Sequence, residues 1–150
     1  MAKLNYQILS ATIVVISLTK VFALTDEDKA IVSAIMAPIT ADCSSEHGVS
    51  EGEIKSAKDS YNTDGLNSCF LGCVLKKTEF INSKGLLDVE TGLNKAKGLL
   101  KNHDEFDKFE EIGKVCSKVN EESVGDGDSG CERAKLAFKC AIENKLEIFF

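Results

Sequence analysis

The sequence contains few of the residues that break helices or favour β-sheet. Pro38 is its single proline, and runs of β-branched residues are scarce among its 150 residues. Proline removes a helical hydrogen bond and β-branched runs favour strands, so their scarcity predicts an all-α chain. The chain also lacks any Asn-x-Ser/Thr sequon, so no N-glycosylation is expected.

Positive charge is scarce as well. The chain has 18 lysines and arginines against 24 acids, a formal net charge of −6 at pH 7. This excess of negative charge disfavours nucleic acid and anionic membrane surfaces as partners. It suits a protein in extracellular fluid.

Residues 1–23 are predicted to form a secretory signal peptide. Lys3 precedes an apolar stretch, Ile8 to Leu18, and the small residue Ala23 offers a cleavage point. A membrane anchor is the alternative, but a span needs roughly 20 apolar residues and the polar residues Gln7 and Lys20 on either side keep this stretch shorter. We therefore expect no stable membrane insertion, and a single domain over residues 24–150.

The domain shows helical periodicity throughout. Thr25 resembles a helix N-cap, and Ser50 with Glu53 has the form of a capping box. Pro38 should kink or end the first helix, which would place Cys43 on a second short piece. Further helices are predicted from Ser50 to about Ser60, Asn67 to about Phe80, Asp88 to Leu100, Phe106 to Val119 and Gly130 to Asn144.

All six cysteines lie in the domain, which indicates a disulfide framework in a small secreted chain. Cys69 and Cys73 are one helical turn apart and project from the same face. Their parallel Cβ directions make a bond between them unfavourable. Each is expected to reach a different segment, so that one helix is tied to two others.

The cysteine intervals are 25, 3, 42, 14 and 8 residues. This pattern resembles the six-cysteine signature of the insect odorant-binding and pheromone-binding proteins, with 42 and 14 at the upper edge of that family's intervals. The resemblance implies a compact bundle of about six helices around an apolar cavity. It also implies three disulfides: Cys43–Cys73, Cys69–Cys131 and Cys116–Cys140.

Candidate ligand-binding residues come from the apolar faces of the predicted helices, where core and cavity positions look alike. Met36 is the strongest single candidate, because methionine adapts to irregular ligands. The full set on the helices is Met36, Ile39, Leu71, Val74, Leu75, Val115, Val119, Phe138 and Ile142.

The C-terminal tail adds three candidates, Ile148, Phe149 and Phe150. We hypothesise that they form a wall or lid of the cavity. A frayed terminus and a contact in a homodimer are the alternatives.

Other sequence features are weaker evidence of function. His47 and His103 are candidates for a pH switch, since histidine titrates near neutral pH. Both lie in predicted turns, however, where solvated histidines are ordinary.

The pair His103-Asp104 also occurs in secreted phospholipases, but the flanking cysteines and the glycine-rich calcium loop are missing. Residues 126–137 faintly resemble an EF-hand loop but lack its ligands at the fifth and twelfth places and its glycine, where Cys131 stands. No catalytic triad or zinc set can be assembled. We expect no cofactor, no metal and no enzymatic activity.

The resemblance implies a secreted carrier that solubilises odorants or pheromones and delivers them to chemosensory receptors, in a fluid such as sensillar lymph. A carrier of a hormone or fatty acid is the alternative within the same fold. A secreted protein-interaction module is the alternative from another class.

Overall fold

The computed structural model describes residues 24–99 and 103–147, with the backbone alone for residues 103–105. This part of the chain forms six α-helices: α1 (Asp26–His47), α2 (Glu51–Ser60), α3 (Ser68–Lys77), α4 (Val89–Ala96), α5 (His103–Cys116) and α6 (Cys131–Glu143). Two short 3-10 turns, Ser117–Glu121 and Gly127–Ser129, lie between α5 and α6. Within these ranges there is no strand, so the all-α prediction is confirmed. The predicted signal peptide and the last three residues lie outside the described residues.

Local side-chain caps fix where α1 and α2 begin. The Thr25 hydroxyl accepts a hydrogen bond from the backbone N–H of Asp28 at 3.2 Å. At α2, the Ser50 hydroxyl accepts from the N–H of Glu53, and the Glu53 carboxylate accepts from the N–H of Ser50 at 2.8 Å. Each cap satisfies backbone donors that a helix start leaves unpaired, so both predicted helix starts are confirmed.

The predicted end of the first helix at Pro38 is wrong. Helix α1 runs without interruption from Asp26 to His47 and contains Pro38. Pro38 and Ala34 are exposed, so water can reach the Ala34 carbonyl that loses its helical donor. Beyond the proline, Cys43 is fully buried and bonded to Cys73, which holds the second half of the helix in place.

Helix α3 is the centre of the fold and packs against both α1 and α6. Its residues Phe70, Leu71 and Val74 are almost completely buried in the main hydrophobic cluster. Cys73 bonds to Cys43 of α1, and Cys69 bonds to Cys131 at the start of α6. One helix is therefore tied to two others, as the spacing of its cysteines predicts. The third disulfide, Cys116–Cys140, joins the end of α5 to α6.

No described helix has the length and apolar character needed to cross a membrane.

Candidate ligand-binding cavity

A cavity of about 400 Å³ lies inside the bundle. Side chains from α1, α3, α4, α5 and α6 border it, together with the segments that follow α3 and α6. Its volume falls in the lower part of the range of about 300–1,000 Å³ that small-molecule sites occupy. The cavity therefore has room for one compact organic molecule.

Six of the predicted binding residues meet around this cavity. Met36 and Ile39 are three residues apart on α1, so helical spacing directs both to the same side. The others come from the two helices joined by the Cys69–Cys131 disulfide. They are Val74 and Leu75 of α3, and Phe138 and Ile142 of α6.

Three predicted residues lie elsewhere. Leu71 has no exposed surface and belongs to the main hydrophobic cluster rather than to the cavity wall. Val115 is 45% exposed, because it lies roughly 90° around α5 from the face that carries Ile112 and Cys116. Val119 lies in the 3-10 turn after α5 and packs against a second hydrophobic cluster, formed by Ile81, Leu87, Cys116 and Ala137.

One wall of the cavity is formed by a loop that the helical pattern does not reveal. After α3 the chain reverses, and the N–H of Asp88 donates to the carbonyl of Phe80 at 2.8 Å. The side chain of Asn120 accepts from the N–H of Leu87 at 2.8 Å and donates to its carbonyl at 2.9 Å. Asn120 thus pairs with Leu87 as a neighbouring strand would. Phe80, Leu87 and Val89 all border the cavity.

The charged residues at the cavity border have opposite charges beside them. The Nζ of Lys77 lies 3.1 Å from a carboxylate oxygen of Asp42. The Nζ of Lys95 lies 2.5 Å from a carboxylate oxygen of Glu79, and both residues border the cavity. Glu147 is likewise paired with Lys29 of α1. Among the described lining residues, each charged group is therefore balanced by a nearby opposite charge.

The perturbed titrating groups of the described chain lie away from the cavity. The hydrogen bond from the Ser50 hydroxyl, followed by the bond from its backbone N–H, lowers the pKa of Glu53. On α5, the hydrogen bond with Lys114 lowers the pKa of Glu110, and the same bond raises the pKa of Lys114. None of these three residues borders the cavity.

The histidines do not complete a chemical site. His47 lies in the last turn of α1 beside Glu46, and its ring does not border the cavity. Potential ligand atoms of Glu46, His47 and Cys73 lie within 4.8 Å of one another. The sulfur of Cys73 is bonded to Cys43, however, so it is not a free thiolate that could hold a metal. His103 is the first residue of α5, and its side chain lies outside the described residues.

The C-terminal segment reaches the cavity border. Leu146 and Glu147 follow α6 and both line the cavity. The predicted lid residues Ile148, Phe149 and Phe150 lie just beyond, outside the described residues. The last two described residues therefore lie at the cavity border.

Comparison with known proteins identifies the family. The model of the PBP/GOBP family matches residues 25–144, a stretch that includes all six cysteines and all six helices. Neither curated proteins nor solved structures give a match. The family match covers most of the chain and agrees with its three disulfides. The chain therefore belongs to the PBP/GOBP family, whose members are secreted carriers that bind odorants and pheromones and are not enzymes.

Proposed function

We propose that this protein is a secreted carrier that binds a small, neutral, hydrophobic odorant or pheromone in the cavity and delivers it to a chemosensory receptor. One observation carries the proposal: an apolar cavity of about 400 Å³ lies inside a fold closed by three disulfides. Burial of apolar ligand surface contributes roughly 25 cal/mol per Å², which is the driving force for uptake. Cross-linked walls reduce the conformational cost of binding.

The preference for a neutral ligand follows from the charges at the border. A carboxylate that enters the cavity loses its water and needs a cation to replace it. Lys77 already pairs with Asp42. Lys95 likewise pairs with Glu79. A ligand carboxylate could bind either lysine only by breaking its ion pair. An alcohol, aldehyde or ester does not have this cost. We therefore rank neutral ligands above fatty acids of the same length.

Secretion is part of the same proposal, with residues 1–23 removed as a signal peptide. The family match begins at residue 25, next to the proposed cleavage point after Ala23, and this supports the boundary. Leu24 is buried and borders the cavity. We propose sensillar lymph as the fluid.

The exposed apolar residues also favour a carrier over a protein-interaction module. Among the described residues, the large exposed hydrophobic side chains are Ile35, Tyr61, Leu99 and Val115. Ile35 and Leu99 both border the cavity, so they mark where it reaches the surface. A carrier needs such an apolar opening. A hormone carrier would use the same cavity, and the tissue of expression distinguishes it from an odorant carrier.

The test is displacement of a fluorescent apolar probe from the oxidised protein by an alcohol, an aldehyde, an ester and a carboxylate of equal chain length. We expect displacement by the neutral compounds with dissociation constants on the order of micromolar, and weaker displacement by the carboxylate. The variant Val115→Ala should bind the probe and the four compounds as wild type does, because this exposed valine does not border the cavity. Absence of probe binding by the oxidised protein would contradict the carrier function, and stronger binding of the carboxylate would contradict the neutral ligand.

A further inference from the structure

We propose that two glycines in the cavity wall, Gly92 of α4 and Gly113 of α5, set the length of the longest ligand that the cavity accepts. The inference rests on the proposed carrier function and identifies specificity-determining positions within it. Both glycines border the cavity. Each lies directly against a larger side chain that also borders it, Phe80 and Val89 respectively.

At Gly92 the aromatic ring of Phe80 occupies the place of the missing side chain. A Cβ added at Gly92 would lie 2.5 Å from Cγ and Cε1 of the Phe80 ring. Carbon atoms at optimal separation are about 3.5–4.0 Å apart, so a methyl group cannot share this space with the ring. The ring can lie against the backbone of α4 only because residue 92 has no side chain.

At Gly113 the same relationship joins α5 to the start of α4. A Cβ added at Gly113 would overlap Cγ1 of Val89 and lie 3.6 Å from its Cβ and Cγ2. The bare backbone of residue 113 thus accommodates one methyl group of Val89. At both places in the wall, the missing side chain of a glycine leaves space for a larger neighbouring side chain. That neighbour therefore lies farther from the cavity.

An alanine at either position forces a displacement. The Phe80 ring is partly buried and borders the cavity, so the side chains packed against its other sides leave less room for a displaced ring than the cavity does. The cavity is the empty space beside it. At position 92, the methyl group would therefore move the Phe80 ring off α4 and into the cavity, and the space for ligand would shrink at this wall.

The consequence depends on ligand length. A short ligand fills only part of the cavity and still fits after the ring has moved. A long ligand needs the space that the ring now occupies. Each methylene that a hydrophobic pocket can no longer accommodate weakens binding by about tenfold or more. The glycines therefore act on the upper length limit and leave the affinity for short ligands largely unchanged.

The experiment measures displacement of a fluorescent apolar probe by unbranched primary alcohols of increasing length, with wild type, Gly92→Ala and Gly98→Ala. Gly98 is the matched control, because it lies outside the cavity wall and a Cβ added there meets no atom within 4 Å. We expect Gly92→Ala to bind the longest accepted alcohol about tenfold more weakly and the short ones within about twofold of wild type. Gly98→Ala should keep the wild-type length limit.

A second pair of variants keeps the test decisive if Gly92→Ala does not fold. Phe80→Leu alone should extend the length limit, and Phe80→Leu combined with Gly92→Ala should return it toward wild type. For α5, Val89→Ala alone should likewise extend the length limit, and Val89→Ala combined with Gly113→Ala should return it toward wild type. An unchanged or raised length limit in Gly92→Ala, or equal weakening for all lengths, would overturn the inference. If wild type binds no alcohol at all, the proposed carrier function fails instead.

Discussion

The ammonium nitrogen of Lys29 lies 3.2 Å from a carboxylate oxygen of Glu147, which joins α1 to the segment after α6. Glu147 borders the cavity, and its neighbour Leu146 does so too. The pair therefore holds the end of the described chain against the ligand site.

We predict that Glu147→Gln speeds ligand release. The two side chains are 36% and 29% exposed, and such a pair is worth about 0–1 kcal/mol, so the dissociation rate should rise by at most about fivefold. Stopped-flow release of the fluorescent probe measures this rate, and added salt should reduce the difference from wild type. Lys55→Ala is the control, because it removes the Lys55–Asp59 pair on α2, a helix that does not border the cavity. Equal release rates for wild type and Glu147→Gln would show that the pair does not hold the ligand.

A separate prediction concerns the tail hypothesis. Deletion of residues 148–150 retains both residues of the Lys29–Glu147 pair and removes three large apolar side chains. If Ile148, Phe149 and Phe150 cover the cavity, the deletion should weaken probe binding and increase probe quenching by a water-soluble quencher. Unchanged affinity and quenching would refute the lid.

Alanine variants of one core residue and one cavity residue should differ in their effects on the free energy of unfolding and on ligand affinity. Leu71 has no exposed surface and does not border the cavity, so Leu71→Ala should lower the free energy of unfolding by about 2–5 kcal/mol with little effect on ligand affinity. Met36 is only partly buried and borders the cavity, so Met36→Ala should weaken ligand binding by about tenfold with a smaller loss of stability. Denaturant unfolding and probe titration measure the two effects. Loss of affinity in Leu71→Ala at a temperature where it is folded would contradict this division.

Removal of either of two disulfides should lower the stability of the protein by a similar amount, but the two removals should affect ligand affinity differently. Cys69–Cys131 closes 62 residues and Cys116–Cys140 closes 24, and each is expected to contribute about 3–4 kcal/mol by limiting the unfolded chain. Cys116 borders the cavity, whereas Cys69 and Cys131 do not. Replacing Cys116 and Cys140 by alanine should therefore lower both the melting temperature and the ligand affinity. The Cys69/Cys131 double variant should lower only the melting temperature, and equal loss of affinity in both would count against this assignment.

The capping box at α2 predicts a pH dependence of stability. Its hydrogen bonds lower the pKa of Glu53 below the ordinary value of 4.5. The stabilisation that these bonds provide is therefore fully present above pH 4.5. It is lost as the pH falls through the lower pKa of the folded state. Glu53→Ala should melt at a lower temperature than wild type at neutral pH, and the difference should shrink as the pH falls below 4.5. Glu51→Ala, in the same helical turn, should show a smaller difference at neutral pH. A difference for Glu53→Ala that is independent of pH would contradict the role of its carboxylate.

The cysteine spacing made the main features of the fold predictable. The resemblance that rests on this spacing implied the disulfide pairing, which restricts which helices can be neighbours. The positions of Cys69 and Cys73 on one helical face indicated that this helix is tied to two other segments. The course of α1 was not predictable in the same way. Its weak amphipathic pattern does not show which side is buried, and the cost of Pro38 depends on solvent access that only the folded chain reveals.

The cavity wall was less predictable than the fold. Helical spacing directs Met36, Ile39 and Phe138 inward, but it does not distinguish a core position such as Leu71 from a cavity position such as Ile142. The wall around Phe80 depends on a loop held by Asn120, whose partner Leu87 lies 33 positions away in the sequence. No local pattern encodes a contact of that kind.

The next measurement is a crystal structure of the oxidised protein with a neutral ligand that carries one bromine atom. We expect the anomalous bromine peak inside the bundle, within contact distance of side chains such as Met36, Phe80 and Phe138. A peak on the outer surface, or an empty cavity at saturating ligand, would contradict the assignment of this cavity as the carrier site.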